Sequence, residues 1–121
     1  MAYDADLADR IRAAVAEQLP EGVLATERGM FGGHAFLVHG HLAAAASGQG
    51  GVLLRCAPSD TERLVAEPGV ARMEMRGRAM DGWLRVSDDA VETDESLREW
   101  VAVGLDHVLG LPPKETGDRR R

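Results

Sequence analysis

The chain opens on apolar residues at helical spacing. Leu7, Ile11, Ala14, Val15 and Leu19 recur every three or four positions, with Asp9, Arg10, Arg12 and Glu17 mostly opposite them. That pattern predicts an amphipathic helix. Asp4 or Asp6 is placed to cap it, and Pro20-Glu21-Gly22 stops it. The period then shortens. Val23 to Met30 and Ala35 to Val38 read as strands joined by a tight turn at Gly32-Gly33, where both glycines can take positive φ. Gly40 makes a second reversal, and His41 to Ala46 reads as a third strand despite its alanines. After the loop Ser47-Gly48-Gln49-Gly50-Gly51, Val52 to Cys56 resumes as a strand. Ser59 and Glu62 have the spacing of a capping box, which predicts a short helix from Asp60 to Ala66, ended by Pro68-Gly69. Arg72 to Arg76 alternates, with Met73 and Met75 on one face. A turn between Gly77 and Gly82 leads to a partner strand from Trp83 to Ser87. The longest helix runs from Asp94 to Leu109, with Leu97, Trp100, Val101, Leu105 and Val108 on one side. Gly110, Pro112 and Pro113 terminate it.

The predicted order is α-β-β-β(β)-α-β-β-α. Strands and helices do not alternate, which argues against a doubly wound parallel sheet. Hairpin-linked strands imply an α+β two-layer sandwich, an antiparallel sheet with helices packed on one face. The first and last helices are the amphipathic ones long enough to cover it. One domain over residues 1–113 is expected, followed by a flexible tail over 114–121.

Composition narrows the function classes. Hydrophobic residues make up 45% of the 121, enough for a real core, but aromatics only 4%, so aliphatic residues and alanine must fill it. A net charge of −6 makes direct nucleic-acid binding an unfavourable reading, because phosphate affinity comes largely from Lys and Arg. A single cysteine, Cys56, cannot form an internal disulfide. No basic and apolar leader opens the chain and no segment has the length of a membrane span, so a cytoplasmic protein without membrane contact is expected.

Four stretches resemble one family: Met1-Ala2-Tyr3-Asp4 at the start, the Met30-Phe31-Gly32-Gly33 hairpin, the Ala35-Phe36-Leu37-Val38 strand and the Gly77-Arg78-Ala79-Met80-Asp81-Gly82-Trp83 turn. Their order and spacing are similar to the TfoX/Sxy N-terminal domain family, over nearly everything from Tyr3 to Pro113. The family takes its name from a regulator of natural competence, and its full-length members carry a further helical domain at the C-terminus. The resemblance implies a stand-alone N-terminal domain, with an α+β fold similar to secretion chaperones. It implies no catalytic residues and no cofactor.

Read for chemistry, three groups stand out. His39, His41 and Cys56 are soft or imidazole ligands that a sheet can bring near one another, and imidazole with thiolate suits zinc. Their spacing matches no finger or ribbon, and buried packing is the competing role for Cys56. Cys56 also precedes the short helix, the setting of some reactive thiols, although Arg55 beside it points to the opposite face of a strand. Arg72, Arg76, Arg78 and Arg85 cluster at the last hairpin, fit for an acidic partner or a phosphate, or else a charged edge that resists aggregation. Met30, Phe31 and Met80 lie at turns rather than in regular core positions, where an adaptable Met and aromatic surface suits protein contact. The glycines near residue 32 lack the Lys-Ser/Thr and following helix of a phosphate loop.

These features point to a non-catalytic module that works through protein–protein contacts, regulatory in role and homodimeric through a free sheet edge. Candidate partner contacts are Met30, Phe31, Arg76, Arg78 and Met80. The alternative is a small-molecule or zinc-binding protein using His39, His41 and Cys56. No nucleophile, base and orienting group can be assembled into an enzyme site.

Overall fold

A computed structural model describes residues 3–30 and 32–113. Phe31 and the expected tail, 114–121, lie outside the described residues. The element order is α1 (Ala5–Gln18), β1 (Ala25–Met30), β2 (Gly33–Val38), β3 (His41–Ala46), β4 (Val52–Arg55), α2 (Thr61–Val65), β5 (Val70–Met75), β6 (Arg78–Val86) and α3 (Asp94–Leu109). Asp4 caps α1, its carboxylate accepting from the N–H groups of Asp6 and Leu7 at 2.9 and 3.2 Å. Thr93 caps α3 by accepting from Ser96 N at 3.0 Å. No helix among the described residues is long and apolar enough to cross a membrane.

The strands form one six-stranded sheet in the order β1-β2-β3-β4-β6-β5, with every pairing antiparallel. The fold is α+β, as the strand and helix order implied. Alternation sends Phe36, Val38, Ala46, Val52, Leu54, Leu84 and Val86 toward α1 and α3, where they meet Ile11, Val15, Leu97, Val101, Leu105 and Val108, all at most 2% exposed. Ala43 is the extra residue of a bulge, since Phe36 pairs with Ala44 and Leu37 with Leu42. It joins Ala44 on the helix side of the sheet. There α3 lies so close that a Cβ on Gly104 would overlap the Ala43 carbonyl oxygen.

Several turns differ from the reading of the sequence. Met30 pairs with Gly33, so Gly33 is the first residue of β2 and not part of the turn. Gly32 has the positive φ expected, 76°, but Gly33 is glycine for another reason: a Cβ there would overlap the carbonyl oxygen of Ala46 on β3. The last hairpin turns at Arg76-Gly77, with φ of 55° and 78°, and β6 therefore begins at Arg78 instead of Trp83. Two residues with positive φ match the right-handed strand twist, so the tight turn prevails over the longer one that Gly82 suggested. The capping box at Ser59 and Glu62 does not form. Pro58–Asp60 makes a 3-10 turn into α2, whose start has no side-chain cap. Buried Thr61 holds the segment instead, donating to Pro58 O at 2.8 Å and accepting from Gly82 N at 2.7 Å.

At the β1 edge, Glu27 accepts from Arg12 Nε and Nη2, both at 2.8 Å, and lies 2.7 Å from His34 Nε2. This clamp ties α1 to β1 and β2. The Arg12 guanidinium, followed by His34, holds the Glu27 carboxyl down from 4.5 to about 2. A carboxylate depressed in the folded state stabilises it above the unfolded value, and that contribution is lost as pH falls through the folded value. Wild type is therefore expected to lose stability more steeply than Glu27→Gln between pH 4.5 and about 2, measured by urea unfolding across that range. At Gly104, alanine improves helix propensity by up to about 1 kcal/mol. Forcing a methyl group into a closed contact costs about 1–3 kcal/mol. The backbone oxygen cannot swing aside as a flexible side chain would, so the steric cost wins. Gly104→Ala is expected to lower the unfolding free energy by about 1–2 kcal/mol, read from the urea midpoint.

Candidate functional site

The sheet face turned away from the helices has a core of its own. Ala35, Leu37, Leu42, Ala45, Leu53 and Met73 are no more than 6% exposed there, with Met30, Met75 and Trp83 packed against them half-buried. Among the described residues no helix packs on this face, and a sheet that curls over its own concave side accounts for burial this deep. Two irregularities supply the bend. One is the Ala43 bulge. The other lies in β6, where β5 pairing jumps from Leu84 to Met80 and leaves Asp81, Gly82 and Trp83 outside that ladder.

An open cleft of about 640 Å³ lies on this side, bounded by β5, the β5–β6 turn and the loop after β3. Its lining comprises Ser47, Gln49, Arg72, Met73, Glu74, Met75, Arg76 and Arg85. Three arginines and one glutamate border it, on a chain whose net charge is −6. Arg85 lies on the concave face opposite Leu53, while Arg72, opposite Leu84, and Glu74 alternate to the other face of β5 and border the cleft at the strand edge. Arg85 is held by a neutral group: its Nη2 donates to Ser47 Oγ at 3.1 Å, and the same oxygen accepts from Gln49 N at 3.1 Å. Arg76 stands exposed on the tight turn. Arg72 donates from Nε to Asp81 at 2.8 Å. Arginines around a methionine floor suit a carboxylate-bearing partner with apolar side chains.

The candidate contacts divide. Arg76 lines the cleft, and Met30 packs against the concave-face core. Met80 lies directly opposite Met73 in the β5–β6 register and is half-buried. Arg78 is exposed opposite Met75 and does not line the cleft. Phe31 lies outside the described residues. Ser47 and Gln49, read from the sequence only as a loop tip, are the lining residues that local patterns missed. They reach the cleft because β4 pairs with β6 and not with β5. Arg85, two positions beyond Trp83 in the alternation, was the accessible signal.

The proposed zinc ligands are not brought together. Among the described residues no three or more His, Cys, Asp and Glu side chains are grouped to hold a metal ion. His39 is exposed on the β2–β3 turn with φ of 53°, and His41 Nε2 lies 2.8 Å from Pro112 O. Cys56 is 1% exposed, its sulfur 3.8 Å from Thr61 Oγ1. The three do not form such a group among the described residues. Nearby, the Arg55 guanidinium stacks 4.5 Å over the Trp83 ring and its Nη2 sits 3.4 Å from His107 Nε2. Burial, then the Arg55 and His41 charges, lower the His107 pKa, so its neutral ring accepts that contact at pH 7.

Burial pushes the Cys56 thiol up, against the thiolate a nucleophile needs. Native protein at pH 8 is expected to leave Cys56 unreacted with an aromatic disulfide reagent that labels it fully in denaturant. Stoichiometric labelling of the folded chain at the denatured rate would contradict the burial.

No curated protein and no solved structure matches this chain. The family model of the TfoX N-terminal domain matches residues 17–108, from the last turn of α1 almost to the end of α3. That span contains the whole sheet and every residue of the cleft, and the chain belongs to the TfoX N-terminal domain family.

Proposed function

We propose that this TfoX N-terminal domain is a non-catalytic interaction module of a competence-type regulatory system, and that its concave face takes an acidic segment of a partner protein. The observation that carries the reading is the contrast of charge: a cleft with three arginines and one glutamate on a chain of net charge −6. Arg85 and Arg76 have no carboxylate partner among the described residues. Carboxylates of a partner would supply it, while Met73 and Met75 give apolar side chains an adaptable floor. The chain's overall negative charge favours a protein partner over nucleic acid. A single buried cysteine agrees with a role in the reducing cytoplasm.

The test is a fluorescence titration with two labelled peptides, one alternating glutamate and leucine, the other lysine and leucine. The glutamate peptide is expected to bind and to weaken with added salt. Arg76→Asn removes one charge while asparagine tolerates the positive φ of that turn, and it is expected to weaken binding about tenfold, as is Arg85→Ala. Equal binding of both peptides, or an affinity unmoved by both substitutions, would overturn the reading.

A further inference from the structure

Among the described residues, β1 and β5 are the strands paired on one side only. We propose that the β5 edge docks a second copy of this chain, antiparallel, about a two-fold axis through Met73, so that Arg72 of each copy stands opposite Glu74 of the other.

The argument is one of register. A two-fold axis normal to a sheet leaves every side chain on its own face. Directly opposed residues share a face, while neighbours along a strand do not, so the axis must pass through a residue and not between two. In the strand Val70-Ala71-Arg72-Met73-Glu74-Met75, three central choices exist. An axis through Arg72 opposes two arginines, and one through Glu74 opposes two glutamates. Like charges directly opposed are destabilising. An axis through Met73 opposes Arg72 to Glu74 twice, Met73 to its counterpart, and Ala71 to Met75. An axis at either end leaves too few residues to pair. The β1 edge offers no such complementary pair: an axis through Glu27 or Arg28 opposes like charges, and one through Thr26 or Gly29 sets Glu27 against Ala25 or Arg28 against Met30. Glu27 is also already held by Arg12 and His34.

The side chains on β5 are free for this. Glu74 is exposed and makes no ion pair among the described residues. Arg72 uses only its Nε, on Asp81. Its Nη groups have no hydrogen-bond partner among the described residues. Pairing would also satisfy the outward N–H and C=O groups of β5, which an open edge otherwise leaves as a template for aggregation. The inference does not rest on the acidic-partner reading. Arg72 and Glu74 also border that cleft, but the two ideas are tested at different residues, Arg72 and Glu74 here and Arg76 and Arg85 there.

The test is sedimentation velocity of the full chain over a micromolar concentration series. Wild type is expected to move from 13.0 kDa toward twice that mass. Arg72→Glu and Glu74→Arg, each alone, oppose like charges twice and are expected to weaken the dimer by at least about tenfold. Mixed in equal amounts, the two variants restore opposite charges at both pairs and are expected to dimerise with each other. Circular dichroism melts confirm that each variant folds. A wild type that stays at 13.0 kDa to high micromolar concentration would overturn the proposal. So would a dimer indifferent to both substitutions, or variants that fail to associate when mixed.

Discussion

Everything in this fold depends on how closely α3 can lie against the middle of the sheet. Gly104 and the Ala43 carbonyl meet with no room for a Cβ between them. A helix this close permits only small side chains beneath it, and the helix side of β3 supplies Ala43, Ala44 and Ala46, all fully buried. The contact falls at the bulge, where Ala43 is unpaired with β2. A bulge bends its strand and increases the local twist. The same irregularity that receives the helix on one face therefore helps curl the sheet on the other.

That curl gives a six-stranded layer two cores of different character. The helix side is large and aliphatic. The concave side is thin, built on alanine, leucine and Met73, and closed at its margins by Met30, Met75 and Trp83. Charge follows the same division. On the helix side arginines are matched to carboxylates: Arg10 to Asp94, Arg12 to Asp9 and Glu27, Arg98 to Glu17. Arg85, beside the cleft, is fixed by the uncharged Ser47 and keeps its full positive charge for whatever approaches. Exposed ion pairs of the first kind add little stability each. They do neutralise those three arginines, whereas Arg85 and Arg76 at the cleft have no carboxylate partner among the described residues.

What the sequence made legible follows from the range of the interactions involved. The span of α3, Asp94–Leu109, was readable to the residue because a periodic apolar face and a glycine- and proline-rich end are local signals. The strands were readable from alternation, their ends less so. Glycines at 77 and 82 both have positive φ in the structure, but only the first forms the hairpin turn, and the second sits inside β6. The spacing of Ser59 and Glu62 failed as a cap because Pro58 starts a 3-10 turn before α2 begins. His39, His41 and Cys56 lie respectively on a turn, on a strand and in the core, placements that their closeness in sequence did not specify. The arginine side of the cleft was legible because its residues lie on one hairpin. Ser47 and Gln49 were not, since only the pairing of β4 with β6 carries their loop there.

The most recognisable stretch of the chain also gains a physical meaning from these contacts. In Met30-Phe31-Gly32-Gly33 the second glycine does not serve the turn; it admits the carbonyl of Ala46 where a Cβ would stand. Gly48 does the same for the carbonyl of Gly32, so the β2 start and the post-β3 loop close on each other from both sides. Between these contacts lies Ser47, fixed at its backbone by donation from Ser47 N to Gly51 O at 3.0 Å. Its Oγ is what orients Arg85. A hairpin motif at one edge of the sheet thus sets, through two close backbone approaches and one hydroxyl, the direction of a cation on the far side of β4. The motif contributes no chemistry of its own to the cleft. Its role is positional, since neither approach leaves room for a side chain.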